Sequence, residues 1–195
     1  MKSLALFDFD GTLTYRDSLA DFIRFARGRH RMMVGAAILS PTIIGYKLKL
    51  IGNDKAKEKV LSYFFQGFDA EEFSLLGKKY ALECIPKILR PSGVERLNWH
   101  IEERHEVVIV SASPAAWLKA WTESLGIGLI GTLLEEKNGK LTGRYNGLNC
   151  HGKEKVCRIR QEYNLNSYDK IYAYGDTPGD HHMLELAHEA FYRHF

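Results

Sequence analysis

Apolar and polar positions follow three patterns along the chain, and each predicts a different structure. Residues 4–9 read LALFDF, an apolar run without regular polar alternation, which predicts a buried strand. Residues 18–90 carry apolar side chains at spacings of three and four, which predicts a succession of helices. From residue 91 onwards, helical patterns alternate with short apolar runs. The sequence thus predicts a strand, a helical block, and a region of alternating helices and strands.

The mixed region indicates the fold class. Its expected elements are a helix at 92–104, a strand at 106–113, a helix at 114–126, a hairpin at 129–145 turning at Asn138-Gly139, a helix at 153–163, a strand at 170–175 and a helix at 181–188. Strands that alternate with helices are typical of an α/β fold with a doubly wound parallel sheet. We therefore expect a core of residues 1–14 plus 91–195, with a helical cap inserted at 15–90.

Residues 32–46, MMVGAAILSPTIIGY, contain no charged side chain. A membrane-spanning helix needs about 20 apolar residues, and this run is shorter and contains Pro41. The favoured interpretation is a buried helix pair within the helical block. The alternative is contact with a membrane surface, because the segment at 24–31 carries four arginines that could meet anionic head groups.

Composition narrows the class of protein. The formal net charge of +3 is too small to argue for nucleic-acid binding. The three cysteines, Cys84, Cys150 and Cys157, are odd in number and widely spaced, which favours a reducing compartment over a disulfide framework. Because the chain also starts without a signal-peptide pattern, we expect a cytoplasmic protein.

Polar side chains gather where three of the predicted strands end. Asp8 and Asp10 end the first strand, Ser111 lies near the end of the second, and Asp176 and Asp180 follow the third. The carboxyl ends of parallel strands line the ligand crevice of such a sheet. We therefore expect these five side chains to share one site.

Four motifs, in this order, resemble those of the haloacid dehalogenase (HAD) superfamily. They are DFDGTLT at 8–14, the serine of VVIVSAS at 107–113, the lysine of CHGKEKVCRI at 150–159 and GDTPGD at 175–180. The position of the helical insertion and the KLTG of the hairpin are similar to the phosphoserine phosphatase-like subfamily IB. The resemblance covers essentially the whole chain. It implies a Rossmann-like core with a small helical cap of the C1 type.

The resemblance also implies roles for the aspartates. Asp8 would be the nucleophile, which suits a carboxylate that needs no base to activate it. Asp10 would protonate the leaving alcohol and then activate water. Mg²⁺ would be held by Asp8, the backbone carbonyl of Asp10, and Asp176, while Asp180 would bind the metal or orient its waters. Oxygen ligands alone favour this hard cation over zinc.

Phosphate contacts are expected from residues at the ends of the first and the second predicted strand. Ser111 would donate to a phosphoryl oxygen, and Ala112 lies at an expected helix start with free N–H groups. Gly11 and Thr12 would clear room for the phosphate and donate to it. For the motif lysine, the Lys-x-x-x-Ile spacing selects Lys155 over its neighbour at position 153.

Asp17 has two interpretations. It lies nine residues after Asp8, where the resembled phosphatases place a glutamate that meets the substrate amine. Asp17 is shorter by one methylene, and the cap offers no recognisable arginine for a substrate carboxylate, which argues against phosphoserine itself. Helix capping by Asp17 or Ser18 accounts for the same residues equally well.

The resemblance implies a magnesium-dependent phosphatase that hydrolyses a phosphate monoester through an aspartyl-phosphate, with a small phosphorylated molecule as substrate. One alternative moves the same chemistry to a lipid head group at a membrane surface, as in a phosphatidylglycerophosphatase. Another passes the phosphoryl group to a second hydroxyl. A non-catalytic phosphate-binding module is disfavoured because all four motif aspartates are present. The sequence does not indicate an oligomeric state.

Overall fold

The structure is a computed structural model that describes residues 2–195. Those residues contain the strands β1 (Ser3–Phe7), β2 (Glu106–Pro114), β3 (Gly128–Thr132), β4 (Leu134–Lys137), β5 (Lys140–Tyr145), β6 (Lys170–Gly175) and β7 (Glu189–Tyr192). Their α-helices are α1 (Ser18–Ile38), α2 (Ser40–Lys47), α3 (Asn53–Phe65), α4 (Ala70–Glu83), α5 (Ile85–Ile88), α6 (Pro91–Glu102), α7 (Lys119–Leu125), α8 (Lys153–Glu162) and α9 (His181–Leu184).

Five strands form one parallel sheet in the order β3-β2-β1-β6-β7. From the central β1 the chain winds outward through β2 to β3, and then crosses to the other side for β6 and β7. The winding direction reverses between β1 and β6, and such a reversal opens a crevice at the carboxyl ends of the strands. The prediction of an α/β fold with a doubly wound parallel sheet is confirmed.

The side chains of β1 are all used for packing. Ala5 and Phe7 belong to a buried cluster with side chains of the helical block, α6 and α7. Leu4 and Leu6 point to the opposite face and pack with α8 and α9. Because helices cover both faces of the sheet, the first side chains of this segment available for chemistry are those that follow Phe7.

The helices of residues 18–88 lie between β1 and β2 in the chain, as predicted, and pack on one face of the sheet. Phe22 of α1 stacks on Trp117, with ring centroids 4.5 Å apart. Thr14 pairs with Leu89 where the chain enters and leaves the insertion, close to the expected boundaries. The division into a core and a separate cap stays a prediction.

Two edge strands differ from the predicted elements. The expected hairpin at 129–145 is shorter, because β3 joins the main sheet and only β4 and β5 pair with each other. Its turn lies at Asn138-Gly139 as expected, with φ of 53° and 72°. The expected helix at 181–188 ends at Leu184, and β7 forms the other edge of the sheet. Runs of four or five residues are too short for periodicity to distinguish strand from helix.

The helix expected at 114–126 begins only at Lys119. Pro114 continues β2, and Ala115–Trp117 form one 3₁₀ turn before the helix. Ser113 therefore does not cap a helix, and the prediction of free helix N–H groups directly after Ala112 is wrong. Its side chain is used elsewhere, as described below.

A helix pair forms at 32–46 as predicted, but the prediction that this pair is buried is wrong. These residues form α2 and the second half of α1, which is broken at Gly28. Small residues face inward: Gly35 lies against Phe64 and Gly45 against Ile51. Met32 and Leu39 pack partly buried against the core. Other large apolar side chains of these helices and of the turn after α2 are exposed, and we call this set the apolar surface: Met33, Val34, Ile38, Ile44, Leu48 and Leu50. Within residues 2–195, no helix combines the length and apolar character needed to cross a bilayer.

Candidate active site

A cavity of about 610 Å³ opens at the carboxyl edge of the parallel sheet. Seven of the predicted site residues line it: Asp8, Asp10, Asp17, Ser111, Ala112, Lys155 and Asp180. The other three, Gly11, Thr12 and Asp176, adjoin one another in a small neighbouring recess. The fold thus brings the predicted residues to one edge, as expected for strand ends that flank the reversal between β1 and β6.

Lys155 joins two of the aspartates. Its Nζ lies 2.5 Å from Oδ1 of Asp8 and 2.7 Å from Oδ1 of Asp180, and its side chain is only 1% exposed. Burial by itself lowers the pKa of Lys155, but the two carboxylates outweigh burial and hold that pKa above its usual range. The site therefore contains a permanent cation next to Asp8.

Asp180 holds this lysine in place. Its Oδ2 accepts hydrogen bonds from the Thr177 backbone N–H at 2.9 Å and from the Thr177 hydroxyl at 2.7 Å. Burial favours a higher pKa for Asp180, but Lys155 and these hydrogen bonds prevail and keep its pKa below the usual range. An ionised carboxylate with both oxygens bonded orients the lysine ammonium toward Asp8.

Asp8 is the less stabilised partner of the lysine. Burial raises the pKa of Asp8 to about 7, because removal from water disfavours the carboxylate, and the charge of Lys155 opposes this rise. The hydroxyl of Thr12 lies 3.2 Å from Oδ2 of Asp8 and 3.0 Å from Oδ1 of Asp176. Further positive charge near Asp8 would therefore favour its ionised, nucleophilic form.

Asp10 is bonded to a separate set of groups. Its Oδ1 accepts from the backbone N–H of Ser18 at 2.6 Å, and its Oδ2 accepts from the hydroxyls of Ser18 at 3.1 Å and Ser113 at 2.5 Å. Burial raises the pKa of Asp10, while the hydrogen bonds from Ser113 and Ser18 lower it. The carboxyl groups of Asp8 and Asp10 therefore lie at one cavity in different environments. One such group can form a bond to a substrate while the other transfers a proton.

The roles of Ser18 and Ser113 were not predicted by the sequence analysis. Ser113 lies two residues after Ser111 on β2, and this spacing places both side chains on the same face of the strand. That signal was present in the sequence. The contact between Ser18 and Asp10 joins the start of α1 to the end of β1, so it depends on how the insertion packs.

Three carboxylates could hold a metal ion. Oxygen atoms of Asp8, Asp176 and Asp180 lie within 4.8 Å of one another. A donor set made only of oxygen fits a hard cation such as Mg²⁺. The carboxyl group of Asp10 is absent from this cluster, which agrees with the expectation that Asp10 would offer only its backbone carbonyl.

Gly11 differs from the expected phosphate donor, and the phosphate contact of the Thr12 backbone stays a prediction. The N–H of Gly11 donates to the hydroxyl of Thr14 at 3.2 Å, so this group is not free for a phosphate. Gly11 has a φ of +85°, and a side chain there would collide with the carboxylate of Asp176. Glycine is therefore needed at position 11 to let the loop approach Asp176. The hydroxyl of Thr12 contacts the carboxylates of Asp8 and Asp176.

Ser111 and Ala112 lie at the cavity as expected. Ser111 is almost fully buried, and its hydroxyl accepts a hydrogen bond from the backbone N–H of Ser113 at 3.0 Å. The proton of that hydroxyl is thus available to an acceptor in the cavity. Their phosphate contacts stay a prediction.

Asp17 is a helix cap at the edge of the cavity, and its contact with a substrate stays a prediction. Its side chain accepts from the N–H of Ala20 at 3.1 Å, so it caps α1, and it also lines the cavity. Lys57 and His151 line the cavity as well and were not predicted. Burial, followed by the charge of Lys155, lowers the pKa of His151, which favours the neutral imidazole.

The resemblance implies hydrolysis of a phosphate ester, and replacing Lys155 by methionine should remove at least about 99% of that activity, because Asp8 and Asp180 would face each other without a cation. The free energy of unfolding should fall by roughly 3–5 kcal/mol, the usual cost of breaking a buried ion pair. Lys153→Met is the matched control, since Lys153 is exposed and should change stability by less than about 0.5 kcal/mol. Denaturant unfolding and phosphate-release assays of both variants test this. Loss of activity in Lys153→Met alone would contradict the assignment.

Comparisons with known proteins agree with this geometry. A family model described as haloacid dehalogenase-like hydrolase matches residues 5–185. Protein CicA of Caulobacter vibrioides is 34% identical over 194 residues, which cover 98% of this chain and 86% of that protein. Phosphoserine phosphatase SerB1 of Mycobacterium tuberculosis is 27% identical and is matched over 95% of this chain and 63% of its own length.

A solved structure supports the fold. A protein of unknown function from Bordetella pertussis superimposes with a TM-score of 0.77 at 24% identity, covering 96% of this chain and 87% of the other. The family model spans all four motifs, from the strand that precedes Asp8 to the helix that follows Asp180. The chain is therefore a member of the haloacid dehalogenase-like hydrolases and is similar, within them, to a phosphoserine phosphatase.

Proposed function

We propose that this protein is a magnesium-dependent phosphatase that hydrolyses a phosphate monoester through an aspartyl-phosphate on Asp8. The observation that carries the proposal is the contact of Lys155 with both Asp8 and Asp180 at a cavity whose wall also holds Asp10. A nucleophile, a fixed cation and a separate proton-transfer group are the components that this reaction needs.

In this proposal, a carboxylate oxygen of Asp8 attacks phosphorus, and the bond from phosphorus to the ester oxygen breaks. Asp10 gives its proton to the departing alkoxide, which leaves as the alcohol. Asp10, now ionised, takes a proton from a water molecule that attacks the phosphorus of the aspartyl-phosphate. Inorganic phosphate leaves, and both aspartates return to their starting states. Lys155 and the hydroxyl of Ser111 stabilise the phosphoryl oxygens in both steps.

Mg²⁺ would be held by Asp8 and Asp176, with the backbone carbonyl of Asp10. Asp180 would act mainly by orienting Lys155, since its oxygens already accept from that lysine and from Thr177. When bound, the ion would neutralise the repulsion between the carboxylate of Asp8 and the phosphate dianion. It would also oppose the effect of burial on the pKa of Asp8.

The side chains of the cavity wall indicate which kind of substrate fits the site. Apolar side chains from the helical insertion form part of it, namely Leu19, Ile43, Tyr46, Ala56 and Val60. Lys57 comes from the same insertion, whereas no arginine of residues 2–195 lines the cavity. These walls favour a phosphate ester whose alcohol is at least partly apolar. For the carboxylate of a phosphoserine substrate, the insertion provides Lys57 as a cationic partner and no arginine. A cytoplasmic location and a small phosphorylated substrate stay part of this proposal.

Removing divalent cations should abolish hydrolysis of an aryl phosphate, and added Mg²⁺ should restore it. Mg²⁺ at about 100 times its Kd should also raise the free energy of unfolding by about 2.7 kcal/mol. Asp176→Asn should lose this stabilisation because a cluster carboxylate is gone, whereas Asp69→Asn, an exposed helix cap far from the cluster, should keep it. Calorimetric or denaturant unfolding with and without Mg²⁺ measures the effect. Full activity in a chelator would contradict the proposal.

A further inference from the structure

The apolar surface inverts the usual arrangement of a helix in water. Met33 and Ile38 of α1 are 63% and 58% exposed and Ile44 of α2 is 55% exposed, while Gly35, Thr42 and Gly45 of the same helices are buried. Leu48 and Leu50, in the turn after α2, are 64% and 78% exposed. Such helices normally turn their large apolar side chains toward the protein core. Six exposed large apolar side chains within residues 33–50 are more than the scattered single ones of an ordinary surface, and such clustering is typical of an interaction site.

The charged side chains of the segment that carries this surface have one sign. Residues 22–53 contain no acidic side chain, but they contain six basic ones: Arg24, Arg27, Arg29, Arg31, Lys47 and Lys49. Arg27 is committed to the carbonyl of Phe64 at 2.8 Å. The other five are exposed, and none of them takes part in an ion pair formed within residues 2–195. The apolar surface is therefore bordered by uncompensated positive charge on both α1 and α2.

The combination of apolar side chains and positive charge indicates which partner binds the apolar surface. A second copy of the chain would bring the same positive charges to the contact and repel the first. An anionic lipid bilayer offers both complements, because its head groups attract Lys and Arg and its acyl boundary accepts apolar side chains from helices that lie in the interface.

The cavity lies next to the same helices. Thr42, Ile43 and Tyr46 of α2 form part of the cavity wall, while Ile44 of α2 and Leu48, directly after this helix, belong to the apolar surface. We propose that the apolar surface docks this protein on an anionic lipid bilayer, with α2 at the interface and the cavity beside the lipid head groups. Docking goes beyond the proposed phosphatase reaction and does not depend on it.

Flotation with vesicles tests the proposal. The full chain is mixed with vesicles of phosphatidylcholine alone or of phosphatidylcholine with an equal share of phosphatidylglycerol, at low ionic strength and at high salt. We expect the protein to float with the anionic vesicles at low salt, roughly tenfold more than with the neutral ones, and to be partly released by salt.

Matched variants distinguish docking through the apolar surface from nonspecific adsorption to vesicles. Leu48→Glu should weaken binding to anionic vesicles roughly tenfold, since it places a charge in the apolar boundary. Leu75→Glu is the control, because Leu75 is equally exposed at 64% but lies on α4. The double variant Arg29→Gln with Arg31→Gln removes two positive charges and should weaken binding to anionic vesicles about tenfold or more. Its control is the double variant Lys78→Gln with Lys79→Gln, which removes two positive charges from α4.

Hydrolysis of a soluble aryl phosphate and a melting curve are recorded for each variant, so a failure of docking and a failure of the phosphatase proposal are distinguishable. Vesicle binding that survives in inactive Asp8→Asn and is lost in Leu48→Glu supports docking. Three results would overturn it: no flotation of the wild type at low salt, an equal loss in Leu75→Glu, or a wild-type dimer that Leu48→Glu converts to a monomer.

Discussion

Asp8→Asn should lower the rate of aryl phosphate hydrolysis at least about 1,000-fold while the protein remains folded. The amide of asparagine lacks the negative oxygen that attacks phosphorus, so no covalent intermediate can form. The side chain keeps its shape, and Lys155 keeps its contact with Asp180 at 2.7 Å. Phosphate release and thermal unfolding of the purified variant measure the two effects separately.

The control for this variant is the same chemical change at another place. Asp69 is exposed and caps α4 by accepting from the N–H of Glu72 at 3.0 Å. Asparagine caps helices about as well as aspartate, so Asp69→Asn should leave both stability and activity nearly unchanged. If Asp8→Asn retained more than a tenth of the wild-type rate, Asp8 would not be the nucleophile.

Asp10→Asn should slow complete turnover by about 100- to 10,000-fold, the range that general acid–base catalysis supplies. With an aryl phosphate, whose leaving group needs no proton, the first step should still proceed. Water activation should fail, because asparagine cannot accept the proton. The protein should therefore release one equivalent of phenol in a burst and carry a phosphoryl group on Asp8, which intact-protein mass spectrometry detects.

The hydrogen bonds of Asp10 make this variant structurally mild. The amide oxygen of asparagine can still accept from the N–H of Ser18, and its NH₂ can donate to a hydroxyl of Ser18 or Ser113. The double variant Asp8→Asn with Asp10→Asn is the control and should show neither burst nor phosphoryl group. Steady wild-type turnover in Asp10→Asn, or a burst in the double variant, would contradict the assigned roles.

The fold class was readable from the sequence because strongly apolar segments leave few choices. β1 and β2 contain short uninterrupted apolar runs, and their alternation with longer helical patterns indicates a sheet covered on both faces. β3 was predicted as a hairpin strand but pairs with β2, and β7 was missed, since such short edge strands gain their structure from pairing with β2 or β6. Such pairing is a property of the assembled sheet.

The positions of the aspartates at the site were predictable in the same way. Asp8 and Asp176 follow strands that pair with each other in register, so the topology alone brings them together. The hydrogen bonds of Asp10 were not predictable, because Ser18 and Ser113 are separated by 95 positions in the chain and meet at 3.0 Å only through packing of α1 on β2.

The sequence by itself determined the parallel α/β core, the insertion after the first strand and the residues gathered at the carboxyl edge, since these depend on local periodicity and on strand ends. Tertiary structure alone decided which group each of those residues contacts. It buried Lys155 between two carboxylates and left Lys153 in water, and it turned Met33, Val34, Ile38 and Ile44 outward. Apolar composition favours removal from water, but which face of a helix is covered depends on what the rest of the chain packs against it.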